Sequence, residues 1–404
     1  MKDVWTICMA LVLLLVFGGC SSDTEEQSPV LDIYVYAPGK PTLTRSVIDP
    51  TEEEKKVNSM TLWVYKSSDG SQLGSITLSS EELESLNSQN SGVYSMPVDN
   101  TFARNPEPVD VYVLANVSST NTGTAFDAII PDKASLENAQ FNGGYYYQFV
   151  NGGINKAVTK LSDEGLPMSG VIRGKMVTNQ NSVLHITDAN VRLVRDISKI
   201  RFVFSSLNTI NDFLYIDEVK LDANMLYKSD YLFLNDEHPY YRVGDKPVDK
   251  EVILVEKLKD ATGAPQYVNR NADPRQYAYV NGMDESMYEA KIQEGLDKKE
   301  LTESPTVYLP ESNKRLMGTV TYHLQSKPSE LRTAQFMMLS GDFRRNQTWI
   351  VYIYYAGSSK LEISSVKVTD WKTVVNGIMI FIIGKADEEG IDDIDDWSDA
   401  MVLF

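Results

Sequence analysis

The chain has 404 residues, 56 of them acidic against 38 basic, for a formal net charge of −18. Such a balance argues against nucleic acid, whose phosphates need a basic face, and against electrostatic adhesion to anionic lipid. The 42% of apolar residues is enough for two cores, and two domains are expected at this length.

At the N-terminus, Lys2 precedes an apolar run from Val4 to Phe17, Gly18 and Gly19 follow, and Cys20 opens the acidic stretch 21–26. The run is shorter than the ~20 residues of a membrane-spanning helix, so residues 1–19 read as a cleavable secretory signal. The stretch resembles the signal of bacterial lipoproteins, in which the cysteine at the cut accepts lipid. On that resemblance Cys20 is the lipidation site, and two or more acyl chains would anchor the chain stably to a membrane. Phe17 departs from the smaller aliphatic residue usual there, and the alternative is an ordinary signal that leaves Cys20 as a lone thiol. Cys8 lies inside the signal, so the mature chain holds only Cys20 and no intramolecular disulfide.

The mature chain then reads as strands. A polar tether (21–29) leads into a strand over 30–36, which the Pro/Gly breaker 37–41 ends. Residues 42–46 precede a charged linker over 49–56. Alternation predicts strands over 60–65, closed by the turn 68–70, and over 109–116. Further strands are expected at 182–186, 191–193, 199–204, 215–221, 306–309, 317–324, 349–355 and 361–368. Many short strands separated by turns predict an all-β protein built from β-sandwiches. A capping serine and an acidic first turn predict a short helix over 80–86, and a second is expected over 285–301. The long Tyr- and Asn-rich stretches 126–161 and 231–301 otherwise read as irregular insertions.

The catalytic inventory is thin. His185, His238 and His323 are widely spaced and show no zinc-binding arrangement; His185 and His323 fall in strand patterns, where a hydrogen-bonded structural histidine is expected. No nucleophile elbow or phosphate-cradling glycine loop is present, and neither a metal nor a cofactor is expected. A pair of carboxylates acting on a glycosidic bond is the enzyme reading that survives longest. The acidic run 387–396 lacks EF-hand spacing and reads as a solvated linker. The clusters Tyr145–Tyr147 and Tyr240–Tyr241 fit strand and interface positions, with sugar stacking as the minority reading.

Several phrases in order give the chain a resemblance to the Bacteroidetes fimbrillins, or type V pilins. Leu43-Thr44-Arg45-Ser46 is similar to the site at which an arginine-specific protease trims the precursor. The stretches 111–116, 166–170 and 194–200 are similar to recurring family phrases, and 345–371 resembles the family's closing hairpin. The resemblance implies two tandem transthyretin-like β-sandwiches with irregular insertions: a propeptide with an N-terminal edge strand (20–45), an N-terminal domain (46–200), a C-terminal domain (201–371), and C-terminal strands with an acidic tail (372–404). It implies no enzyme activity and a place in a fimbrium on the cell outer membrane. Other pilin subunits joined head to tail, the processing protease, the membrane through the lipid anchor, and host or bacterial surface ligands would be the partners.

Cleavage between Arg45 and Ser46 would remove strand 30–36 and open a groove, which a strand from the next subunit can refill by β-augmentation. Two donors are candidates. One is the apolar run 376–384, with Ile378, Ile380 and Ile382, which equally fits a core strand buried on both faces; the other is the terminal stretch 399–404, with Met401 and Leu403. A tip adhesin, an anchor subunit and a carbohydrate-binding surface lipoprotein remain open as roles, with a surface glycosidase behind them.

Overall fold

A computed structural model describes residues 28–370, apart from 38–50, 119–131 and nine internal breaks of one to four residues, and in the tail it describes 382–383 and 401–402. The first half carries β1 (Val30–Tyr36), α1 (Glu52–Lys55), β2 (Met60–Lys66), β3 (Gln72–Thr77), α2 (Ser80–Gln89), β4 (Ser91–Pro97), α3 (Asn100–Arg104), β5 (Val109–Ala115), α4 (Lys133–Glu137), β6 (Gln140–Asn142), β7 (Tyr147–Val150), β8 (Ile154–Ala157), β9 (Met168–Lys175), β10 (Val177–Gln180), β11 (Val183–Ile186), β12 (Val191–Arg192) and β13 (Val194–Arg195). The second half carries β14 (Ile197–Leu207), β15 (Leu214–Leu221), β16 (Ser229–Tyr231), β17 (Val252–Val255), β18 (Arg270–Asn271), α5 (Glu285–Asp297), β19 (Thr302–Glu303), β20 (Val307–Pro310), β21 (Met317–Leu324), β22 (Lys327–Met337), β23 (Gln347–Tyr355), β24 (Glu362–Asp370), β25 (Ile382–Ile383) and β26 (Met401–Val402). The all-β expectation holds.

In the first half, one sheet runs β10-β11-β1-β12 with β4 also paired to β1, and the other runs β13-β9-β5-β2-β3. Alternation puts Leu31, Ile33, Val35, Tyr94 and Met96 of the first sheet, with Leu62, Val64, Val111 and Val113 of the second, into one continuous buried cluster. β5 is buried along its whole length, because its outward Tyr112 is covered by Phe233 from the second half, with ring centroids 5.1 Å apart.

The second half also holds two main sheets, β18-β14-β23-β24, to which β19 and β20 add, and β22-β21-β15-β17-β8-β7. β14 and β23 run parallel in register from Lys199–Thr348 to Ser206–Tyr355, and nearly every residue of both is buried. A parallel pair needs cover on both faces. One face joins the main core; on the other, Val203, Ile350, Tyr352 and Tyr354 pack under Tyr277, Tyr288, Ile292 and Leu301 from α5 and its flanks. α5 is therefore a third layer. It ends earlier than the expected 301, and Lys299 follows in a left-handed conformation (φ 56°).

Strand pairing does not follow a division of the chain at residue 200. β8 joins β17 in the second-half sheet and carries β7 with it, while β6 pairs with β16. Much of the stretch read as irregular is thus an arm that completes the second sandwich.

Candidate functional site: the slot held by the first strand

β1 is an interior strand, which corrects the expectation of an edge. Its whole length pairs antiparallel with β4, from Val30–Pro97 to Tyr36–Ser91. Its other side pairs parallel with β11 at Val30–Asp32 and with β12 at Val35–Tyr36. Further backbone bonds close both ends: Val98 N–H donates to the Pro29 carbonyl and Leu193 N–H to that of Tyr36, each at 2.9 Å. The sequence could not show this, because β11 and β12 lie about 150 residues away along the chain.

Leu31, Ile33 and Val35 of β1 have no exposed surface. At about 1.5–3 kcal/mol for each buried aliphatic side chain, β1 contributes on the order of 5–9 kcal/mol of apolar burial, comparable with the whole stability of a domain. An empty slot would also leave β4 without its strand partner, since among the described pairings β4 pairs only with β1. Unpaired backbone beside an apolar trough has to be refilled or collapse.

The chain that follows residues 38–50 is fastened separately. The run Glu52-Glu53-Glu54-Lys55-Lys56, read as part of a charged linker, holds a buried carboxylate. Thr51 and Glu54 form a capping box at the start of α1, and Glu54 is 1% exposed. Its carboxylate accepts from Lys199 Nζ (3.1 and 3.2 Å), from the Tyr308 hydroxyl (2.7 Å) and from Thr51 N–H (2.9 Å). Arg195 Nε donates to the Glu54 carbonyl at 3.0 Å. Burial lowers the Lys199 pKa while the Glu54 charge raises it, and burial dominates. Next along the chain, Asn116 accepts from Asn58 N–H at 2.7 Å and donates to the carbonyls of Lys56 and Leu166, both at 2.8 Å. The body of the protein thus begins firmly at Thr51, and β1 is joined to it only through residues 38–50, which contain Arg45 and Ser46.

Cys20, Arg45, Ser46, Ile378, Ile380 and Leu403 lie outside the described residues, as does the acidic run 387–396. Of the candidate donor residues Ile382 and Met401 are described, and their short strands pair with each other, Ile382 opposite Val402 and Ile383 opposite Met401, in the antiparallel pair β25–β26.

Other polar groups have structural work. His323 Nδ1 lies 2.6 Å from Asp217 Oδ2 and its ring stacks on Tyr215 at 5.1 Å; Tyr240 lies under the Arg344 guanidinium at 4.5 Å. A dense carboxylate group, Asp196, Asp230 and Glu311, is sealed at 0% exposure, so no sugar reaches it. Arg345 bonds Asp196 at 2.7 Å and Glu311 at 2.5 and 2.9 Å. Burial pushes the Asp196 carboxyl up to about 7 against the pull of Arg345. Asp230 is raised well above its ordinary value by burial first and then by the Glu311 charge.

No protein-family model and no curated protein matches the chain. Solved structures do match in fold. A protein of Parabacteroides distasonis described as having a cell-adhesion role aligns over 86% of this chain and 99% of its own, at 16% identity and a TM-score of 0.51. The tip fimbrial protein Mfa3 of Porphyromonas gingivalis, with a C-terminal truncation, aligns over 84% of this chain and 99% of its own, at 13% identity and a TM-score of 0.48. The chain shares the fold of the Parabacteroides distasonis protein.

Proposed function

We propose that the protein is a structural subunit of a surface fimbrium, exported as a lipoprotein through Cys20 and assembled head to tail by strand replacement. The observation that carries this reading is the position of β1: an interior strand with a fully buried aliphatic face, joined to the body only through the stretch that holds Arg45. Cleavage after Arg45 turns a covalently held strand into a replaceable one. The vacated slot takes an extended segment with apolar residues at every second position, and a C-terminal segment of a neighbouring subunit supplies it, with Ile378, Ile380 and Ile382 or with Met401 and Leu403. Because slot and donor are different parts of one subunit, the contact is heterologous and the product an open filament. The subunit itself carries no enzyme activity in this reading, and the filament supports adhesion.

The test is to treat the full-length chain with an arginine-specific protease and follow the new N-terminus and the particle size together. Cleavage at Ser46 followed by filaments in electron micrographs is expected. Persistent monomers after complete cleavage would overturn strand replacement.

A further inference from the structure

The inner face of β1 says little about register. Leu31, Ile33 and Val35 are all aliphatic, so a slip by two residues would still bury Ile33, Val35 and Ala37, whereas a slip by one would expose them. The outer face does carry the information. Asp32 is the only charged residue of β1, and it stands opposite Ser95 of β4 and opposite His185 of β11. Ser95 Oγ donates to Asp32 Oδ1 at 2.6 Å. His185 Nδ1 lies 3.7 Å from Asp32 Oδ2, an ion-pair distance when the ring is protonated. The two strands that flank Asp32, β4 and β11, thus each place one polar side chain on the same carboxylate.

We propose that Ser95 and His185 form a recognition pair that reads Asp32, fixing the register of the strand in the slot and distinguishing the resident strand from an incoming one. This rests on the reading that β1 is the replaceable strand. An incoming Gly377–Ile383 segment can set Ile378, Ile380 and Ile382 in the places of Leu31, Ile33 and Val35, but it then brings Met379 to the place of Asp32. The incoming strand competes by apolar area and finds no carboxylate-specific contact, while the resident strand keeps one that no two-residue slip can reproduce. Ser95 and His185 are in this sense positioning residues that hold β1 against premature exchange.

The first arm of the test uses the uncut full-length chain and needs no processing. Asp32→Ala, the double change Ser95→Ala with His185→Ala, and all three together are compared by amide exchange over residues 30–36. A hydrogen bond to a charged group corresponds to roughly ten-fold in the opening equilibrium. Asp32→Ala and the double change are each expected to speed exchange about ten-fold, and the triple variant no further, because both remove the same contact. Additive effects, or none, would overturn the pair. Asp32→Asn keeps an acceptor for Ser95 without the charge and is expected to fall between.

In the second arm, peptides copying residues 30–36, with and without Asp32→Ala, compete for the slot of the cut chain. The native peptide should hold about ten-fold better, and the preference should vanish on the Ser95→Ala, His185→Ala chain; equal binding of the two peptides to the unaltered chain would overturn recognition. Failure of β1 to leave after cleavage would count against the proposed assembly, while the exchange rates of the uncut chain would still decide the pair.

Discussion

Arg195 and Asp196 are consecutive residues that face two different buried polar groups, and each group ties distant parts of the chain together. Asp196, with Ser169 donating to it at 2.7 Å, belongs with Arg345, Glu311 and Asp230; Arg195 belongs with Glu54, Lys199 and Tyr308. Removing one partner of such a group leaves a buried charge uncompensated, at about 3–5 kcal/mol. Glu54→Ala is therefore expected to lower the unfolding free energy by about that much, through the stranded Lys199 ammonium, while Glu54→Gln costs less because the amide still accepts hydrogen bonds. Denaturant melts, with exchange over residues 51–58 to locate the loosening, check both.

Asp230 gives a prediction with a definite sign. Burial and the Glu311 charge raise its carboxyl pKa well above the ordinary 3.8 in the fold, while the unfolded chain releases the proton near that value. The folded state thus binds more protons between the two values, so its contribution is complete below the unfolded value and is lost as pH rises through the folded one. Asp196, pushed up to about 7, acts in the same direction. Asp230→Asn cannot ionise, so its melting temperature is expected to gain on the parent as pH is raised above about 4. A constant difference across that range would refute the assignment.

At the scale of elements, β1 and the pair β14–β23 show how burial on a particular side decides behaviour. The central Ile33 is fully buried, and Ile33→Ala is expected to cost about 2–5 kcal/mol. In the proposed assembly it should also weaken retention of β1 after cleavage, so the cut variant ought to lose residues 28–37 on gel filtration sooner than the cut parent. β14 and β23 are buried on both faces because α5 covers the face that the opposite sheet does not. Ile292, fully buried on α5, touches that second core.

For the whole molecule, the proposed assembly makes donor and slot separable functions of one chain. A subunit ending at Asp370 keeps β24 and every sheet described for the two sandwiches, so it is expected to fold, to be cut after Arg45, and to accept a donor without offering one. Mixed with full-length subunits it should shorten filaments in proportion to its share, as a chain terminator does. Filaments of unchanged length from such mixtures would move the donor away from residues 371–404.

The strand content, both longer helices and the short phrases at 111–116, 166–170, 194–200 and 345–349 were legible because they are local: alternation, caps and turn residues depend on neighbours in sequence. The phrases turn out to hold residues under tight local demand. Asn116 sits at φ 58°, and a side chain at Gly170 would come within 2.6 Å of the Arg192 carbonyl oxygen. Other features were not legible. β22, exposed along most of its length, gave no alternating signal, and β7 and β8 lay in a stretch of low contrast. Glu54 looked like one of a solvated run because its partners Lys199 and Tyr308 are 145 and 254 residues away. The sequence by itself thus determined that 30–36 is a strand with one aliphatic face. Only the tertiary structure decided that it lies inside its sheet, because the parallel partners that enclose it are brought up by long-range pairing that no local pattern encodes.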